Sequence, residues 1–175
     1  LIATRPLNPR SSAKLLFYNK SSIKDLVFSD LPDILSKKDL LVFNNTKVLP
    51  ALLYGDVIES KNENLINKKF EFLLVNQFDS KTWFSVCKPL KKVEVGSKIF
   101  FSDKLSAQVL KKEEMGIVLR FIFNGNFYEN LNKTGLMPIP PYIRKIRDVD
   151  LSDKKDYQPI FSKKWGSIAS PTASL

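Results

Sequence analysis

Five short apolar segments recur between Gly55 and Phe123: 70–75 (FEFLLV), 83–88 (WFSVCK), 98–101 (KIFF), 106–110 (SAQVL) and 116–123 (GIVLRFIF). Each is of strand length and rich in aromatic or β-branched residues. Charged or turn-forming clusters separate them, so the stretch predicts a small antiparallel β-barrel or sandwich. The thirteen Phe, five Tyr and two Trp of the chain supply the bulky side chains that such a core needs.

The flanks have a different pattern. Residues 15–18 and 23–28 surround the turn-like Asn19-Lys20-Ser21-Ser22 and predict a hairpin. Ser29 or Asp30 can cap a helical turn running to Leu35, with Pro32 tolerated at its start. Leu40-Leu41-Val42-Phe43 is a continuous apolar run, as expected of a strand covered on both faces. Residues 127–132 predict a short helix that ends near Gly135. Pro138, Pro140 and Pro141 then predict an extended path into Tyr142. The tail 156–175 mixes strand and loop signals. The organisation expected is 1–54 as the first part of a main domain, 55–134 as an inserted β-barrel, and 135–175 as a return to the main domain. The chain opens at Leu1 and stops at Ser174-Leu175, which reads as part of a longer polypeptide.

Composition narrows the chemistry. There is no histidine and only one cysteine, Cys87, so a Cys–His nucleophile, a zinc site and an intrachain disulfide are not expected. Cys87 reads as a buried strand residue, and a lone thiol suits a reducing cytosol. No apolar run approaches the roughly 18 residues of a membrane span. The formal charge of +10 is concentrated: residues 81–112 carry eight Lys against two carboxylates, and 133–175 carry eight Lys or Arg against four Asp. Such blocks suit a polyanion, or solvate a surface without a partner.

Three constellations can carry chemistry. Asn44-Asn45-Thr46-Lys47 follows an apolar run, where an amide, a hydroxyl and an ammonium can hold ribose hydroxyls or a phosphate, or merely satisfy a turn. Tyr142, Arg144 and Lys145 follow the proline track, where a ring can stack on a base and a cation can pair with phosphate. Asp156, Tyr157, Gln158, Ser167 and Thr172 put a carboxylate, a phenol, an amide and two hydroxyls within seventeen residues. Asp156 is the carboxylate nominated as a base, with Tyr157 beside it as a proton-transfer group. Ser167 has no histidine to activate it.

These strings also occur in a fixed order: IATRPLNPRSSAKLL, LVFNNTKVLPALLYG, EFLL, WFSVCKPLKK, GLMPIPPYIRK, DYQPIF and GSIASPTASL. In that order the chain resembles the N-terminal half of the S-adenosylmethionine:tRNA ribosyltransferase-isomerases, the ring-building enzymes of queuosine biosynthesis. The resemblance implies a mixed α/β and β fold, with an interrupted α/β, barrel-like main domain, incomplete here, and an inserted small antiparallel β-barrel. It implies S-adenosylmethionine as ribosyl donor and co-substrate, no metal, and a cytoplasmic location. The acceptor is the aminomethyl group of a 7-deazaguanine at the tRNA wobble position, so the anticodon stem-loop is the partner. The site residues it suggests are Asp156 and Tyr157 for catalysis, with Asn44, Thr46, Lys47, Tyr142, Arg144, Gln158, Ser167 and Thr172 for binding.

The chain departs from the family at Asn45 (usually Asp), Lys47 (usually Arg), Ser170 (often Ala) and Ser174 (usually Gly). A lysine cannot reproduce a bidentate guanidinium fork. The family also continues with a second half, so a separate C-terminal half is a further candidate partner and the chain alone is expected to be catalytically silent. Two rivals remain at this level: a non-catalytic tRNA-binding barrel, and an assembly fragment solvated by its lysines.

Overall fold

The computed structural model describes residues 3–59, 65–172 and 175, with only the backbone of 65–68. Ser174 lies outside the described residues. The hairpin forms as expected, from β1 (Lys14–Asn19) and β2 (Ser22–Val27). Asn19 closes the turn by accepting from the N–H groups of Ser21 (3.1 Å) and Ser22 (2.9 Å). A single turn, α1 (Leu31–Ile34), follows, while Asp30 turns its carboxylate back to the Val27 N–H (3.0 Å).

The apolar run at 40–43 does not form a strand. Leu40, Leu41, Val42 and Phe43 are 87%, 46%, 87% and 49% exposed. A continuous apolar strand is stable only when both faces are covered. Here Phe43 finds just Phe161, with ring centroids 4.1 Å apart. Ordered pairing resumes at β3 (Thr46–Val48).

The five segments between Gly55 and Phe123 do build a closed antiparallel barrel, with one strand more than the pattern showed. Its strands are β4 (Leu52–Ile58), β5 (Leu65–Gln77), β6 (Thr82–Lys88), β7 (Lys98–Ser102), β8 (Leu105–Lys112) and β9 (Ile117–Phe123), in the order β4-β5-β6-β9-β8-β7. Pairing of β4 with β7 shuts the ring and removes its edges. Alternation along each strand fills the interior. Phe70, Phe72 and Leu74 enter from β5, Trp83, Ser85 and Cys87 from β6, and Leu105, Ala107 and Val109 from β8. Each fully buried large side chain contributes about 1.5–3 kcal/mol. Burial also pushes the Cys87 thiol up to about 12, which removes it as a nucleophile at neutral pH.

One end of the barrel is plugged by α2 (Phe127–Thr134), capped by Asn126 accepting from the Glu129 N–H (3.1 Å). Phe127 packs among Trp83, Phe121 and Phe123 at centroid distances of 5.7, 5.1 and 5.3 Å. The chain leaves α2 beside the point where it entered. Leu52 and Leu136 exchange two backbone hydrogen bonds, of 3.1 and 2.8 Å. Gly135 makes this crossing possible, because a Cβ there would stand 1.9 Å from the Pro50 carbonyl oxygen.

The proline segment is extended only as far as Pro140. Tyr142 lies in the helical turn α3 (Pro141–Arg144), where Pro141 occupies the first helical position that its fixed φ favours. Arg144 then clamps this turn to the barrel. Its guanidinium donates to both Glu71 oxygens (3.0 and 2.5 Å) and to the Tyr54 hydroxyl (3.2 Å). A second, smaller core of Val48, Met137, Ile139, Ile143 and Tyr157 lies under the flanks. The chain continues through α4 (Asp153–Asp156) to β10 (Lys164–Ser167), which pairs in parallel with β3. The structure is thus mixed, a closed six-stranded barrel plus a parallel ribbon with short helices. No helix of the described residues is long and apolar enough to cross a membrane.

Replacing Gly135 by Ala forces the Leu52–Leu136 crossing apart and should cost about 1–3 kcal/mol or more in denaturant unfolding. Glu71 also predicts an acid sensitivity. Its hydrogen bonds from Arg144 hold the carboxyl below its ordinary 4.5. The clamp's stabilisation is therefore complete above that value and is lost as pH falls through the lower folded value. Melting curves across this acid range should show the loss in the parent chain and a reduced loss in Glu71→Gln.

Candidate functional site

The parallel ribbon brings together two of the three constellations. Lys47 of β3 stands beside Trp165 of β10, and its ammonium lies 4.3 Å over the indole centroid. Ser167 of β10 pairs with Val48, and the Leu49 N–H donates to the Ser167 carbonyl (2.8 Å). Gln158 fixes the ribbon from the side. Its amide donates to the Val48 carbonyl (2.7 Å) and accepts from the Val48 N–H (2.8 Å), across 110 residues of sequence. A side chain here does what a neighbouring strand would do. The Asn44 amide oxygen accepts from the Thr46 N–H (2.9 Å), an Asx turn that starts β3. The Asn45 carbonyl accepts from Lys163 (2.8 Å) and Lys164 (3.2 Å).

Asp156, Tyr157 and Thr172 line a second place, an apolar cavity of about 280 Å³ walled by the N-terminal arm and by Ile139 and Ile143. Its charged rim is an ion-pair network. Arg5 reaches Asp150 and Asp156, the latter at 2.8 Å. Arg147 holds Asp153, whose side chain is 1% exposed, at 2.5 Å. Arg10 donates to the backbone carbonyls of Gln158 (2.6 Å) and Lys155 (2.7 Å). The arm is therefore tied onto the segment carrying Asp156 and Tyr157. Tyr157 is 6% exposed, and its hydroxyl accepts from the Ser170 N–H (3.3 Å). Burial pushes its phenol above the ordinary value, which makes it a weaker acid than a free tyrosine.

Other expected site residues stand elsewhere. The Arg144 guanidinium is already taken by Glu71 and Tyr54, and Tyr142 lies 46% exposed on the same turn. The Ser167 hydroxyl is engaged locally with Ala169, donating to its carbonyl and accepting from its N–H. Ser170 is buried with its hydroxyl unpartnered among the described residues. Residue types and spacing did not point to Arg5, Arg10, Arg147 and Asp153, because their meeting depends on the path of the arm. Trp165, an indole directly before the Gly166-Ser167 string, is a further member of this ribbon whose residue type and place carry a readable signal.

Comparison with known proteins gives this geometry its context. The chain is 42% identical over its whole length to an S-adenosylmethionine:tRNA ribosyltransferase-isomerase of Roseobacter denitrificans, covering 50% of that protein. The corresponding enzyme of Jannaschia sp. is also 42% identical over the whole chain, with 49% of its length covered. The chain thus spans about half the length of these curated relatives. Among solved structures, an S-adenosylmethionine tRNA ribosyltransferase from Thermotoga maritima overlaps 83% of the chain and 50% of its own, at 25% identity and a TM-score of 0.39. That overlap is too low to add to the fold described above. The family model described as queuosine biosynthesis protein matches residues 1–175, and this chain belongs to that family.

Proposed function

We propose that the chain forms part of a transferase that moves the ribosyl group of S-adenosylmethionine onto 7-aminomethyl-7-deazaguanine at the tRNA wobble position and isomerises it, giving epoxyqueuosine. The observation that carries the reading is the ribbon β3–β10, which sets Thr46 and Lys47 against Lys164 and Trp165, with Ser167 opposite Val48. Family membership supports this reading, in which adenine and methionine are the leaving groups. The residues divide by chemistry. Thr46, Lys47, Asn44 and Thr172 offer hydroxyls, an amide and a cation to ribose and carboxylate oxygens, and Ser167 would join them by exchanging its contact with Ala169. Tyr142, exposed beside the clamp formed by Arg144, offers a ring to the RNA. Gln158 serves by holding β3. Tyr157 can donate a hydrogen bond through its hydroxyl, while burial makes it a weaker acid than a free phenol. Asp156, the carboxylate proposed as base, is held in an ion pair with Arg5 at 2.8 Å.

In this reading the basic blocks grip the anticodon stem-loop in the cytoplasm. The segments 1–54 and 135–175 form one domain that the barrel, 55–134, interrupts. The exposed run 40–43 marks where that domain meets the remaining half of the relatives' length. A two-stranded parallel ribbon with an adjoining bare apolar run is what a larger covered sheet leaves when neighbours are absent.

Two experiments test this. The chain, alone and with a separately produced C-terminal half of a relative, is mixed with S-adenosylmethionine and aminomethyl-deazaguanine tRNA, and released adenine is measured. Turnover in the mixture and none in the chain alone is expected. Silence in both, with salt-dependent tRNA binding retained, would favour the non-catalytic tRNA-binding barrel. Val42→Asp should leave the stability of the isolated chain within about 0.5 kcal/mol, since its side chain touches solvent. The same substitution should block restoration of activity by the second half, and unimpaired restoration would remove 40–43 from the seam.

A further inference from the structure

Between the plugged end of the barrel and the ribbon lies a cleft of about 380 Å³, walled by Asn76, Trp83, Tyr128, Trp165 and Ser167 with Leu49 behind them. Both facing strands break their regular pairing here. In β5 the register slips between Leu74 and Asn76, and in β10 between Trp165 and Ser167. Bulges of this kind re-aim side chains and concentrate beside functional sites.

The cleft's aromatic groups are only partly engaged. Trp165 is 37% exposed and has Lys47 over its ring. No aromatic ring of the described residues stacks on it. Trp83 is 3% exposed, and its indole N–H has no acceptor among the described residues. A buried donor without an acceptor is costly and rarely left so. The polar groups are likewise divided. Tyr128 donates to the Gln77 side chain (3.1 Å), which in turn donates to the Asp79 carbonyl (3.0 Å). The Asn76 amide makes no hydrogen bond among the described residues, so its adjacent donor and acceptor are both available.

We infer that this cleft binds a planar purine-type base, stacked on Trp165 and read at its edge by Asn76. An amide matches the neighbouring donor and acceptor on such an edge. An indole offers its π-face to any base. Neither residue was among those expected at the site from sequence. The inference deepens the transferase reading and rests on it only for the choice of probes, because the same ring chemistry could come from the adenine of the ribosyl donor or from the acceptor deazaguanine.

The test is calorimetric and NMR titration of the chain with adenosine, S-adenosylmethionine, the free aminomethyl-deazaguanine base, and ribose as a non-planar control. Saturable binding of at least one planar probe is expected, and none of ribose. The tighter of adenosine and the deazaguanine identifies the source. Trp165→Leu should weaken binding about tenfold, from the worth of one base stack, while Trp165→Phe keeps most of it. Asn76→Ala, at an exposed position, should weaken binding with the fold intact by circular dichroism and should narrow the preference between probes. No saturable binding by the chain, or binding unchanged in both Trp165→Leu and Asn76→Ala, would overturn the inference. Base binding with no turnover in the reconstituted transfer assay would retire the transferase reading and leave this cleft standing. Turnover that ignores Trp165→Leu would do the reverse.

Discussion

The two backbone hydrogen bonds between Leu52 and Leu136 set the geometry of everything outside the barrel. They hold the incoming and outgoing chains side by side where the closed six-stranded ring joins the flanks. Without that junction, β3 and the proline segment would diverge, and the small core of Val48, Met137, Ile139, Ile143 and Tyr157 would have nothing to close on. Gly135 is the local condition for the junction, because only a residue without Cβ passes the Pro50 carbonyl. Arg144 supplies the second fastening, and it engages a carboxylate on the barrel wall where a phosphate contact was expected.

The polar fastenings differ in weight. Surface pairs such as Lys69–Asp56 and Lys111–Glu113 contribute little, since water screens them and ordering long side chains costs entropy. The Arg147–Asp153 pair is of another kind, because Asp153 is sealed from solvent and removing either partner strands a charge. Gln158 belongs with the second group. Its amide pairs with both polar groups of Val48, completing a strand edge that no neighbouring strand covers on that side. These contacts fix the register of the ribbon, and so fix which side chains meet in the cleft.

The legibility of the sequence followed the range of the forces involved. The hairpin at Asn19, the strands from 70 to 123 and the helix after Asn126 were readable, because alternation and turn chemistry are written within a few residues. The strand at Leu52–Ile58 was not among the five segments read, since Pro50 and Gly55 interrupt its pattern. The run 40–43 was misread for a physical reason: apolarity shows that a segment needs cover, and only the fold shows whether cover is present. Tyr142 was placed on an extended path, although Pro141 serves equally well as a helix start.

Local chemistry in the sequence alone determined the barrel, the buried inert thiol, the basic character and the family strings, since each depends on residue type and short spacing. Only the tertiary structure decided that Gln158 serves β3, that Arg144 is spent on Glu71, that Arg5 holds Asp156, and that Asn76, Trp83 and Trp165 share one cleft. Those meetings join residues far apart along the chain, and the closed ring and its junction with the flanks bring them together.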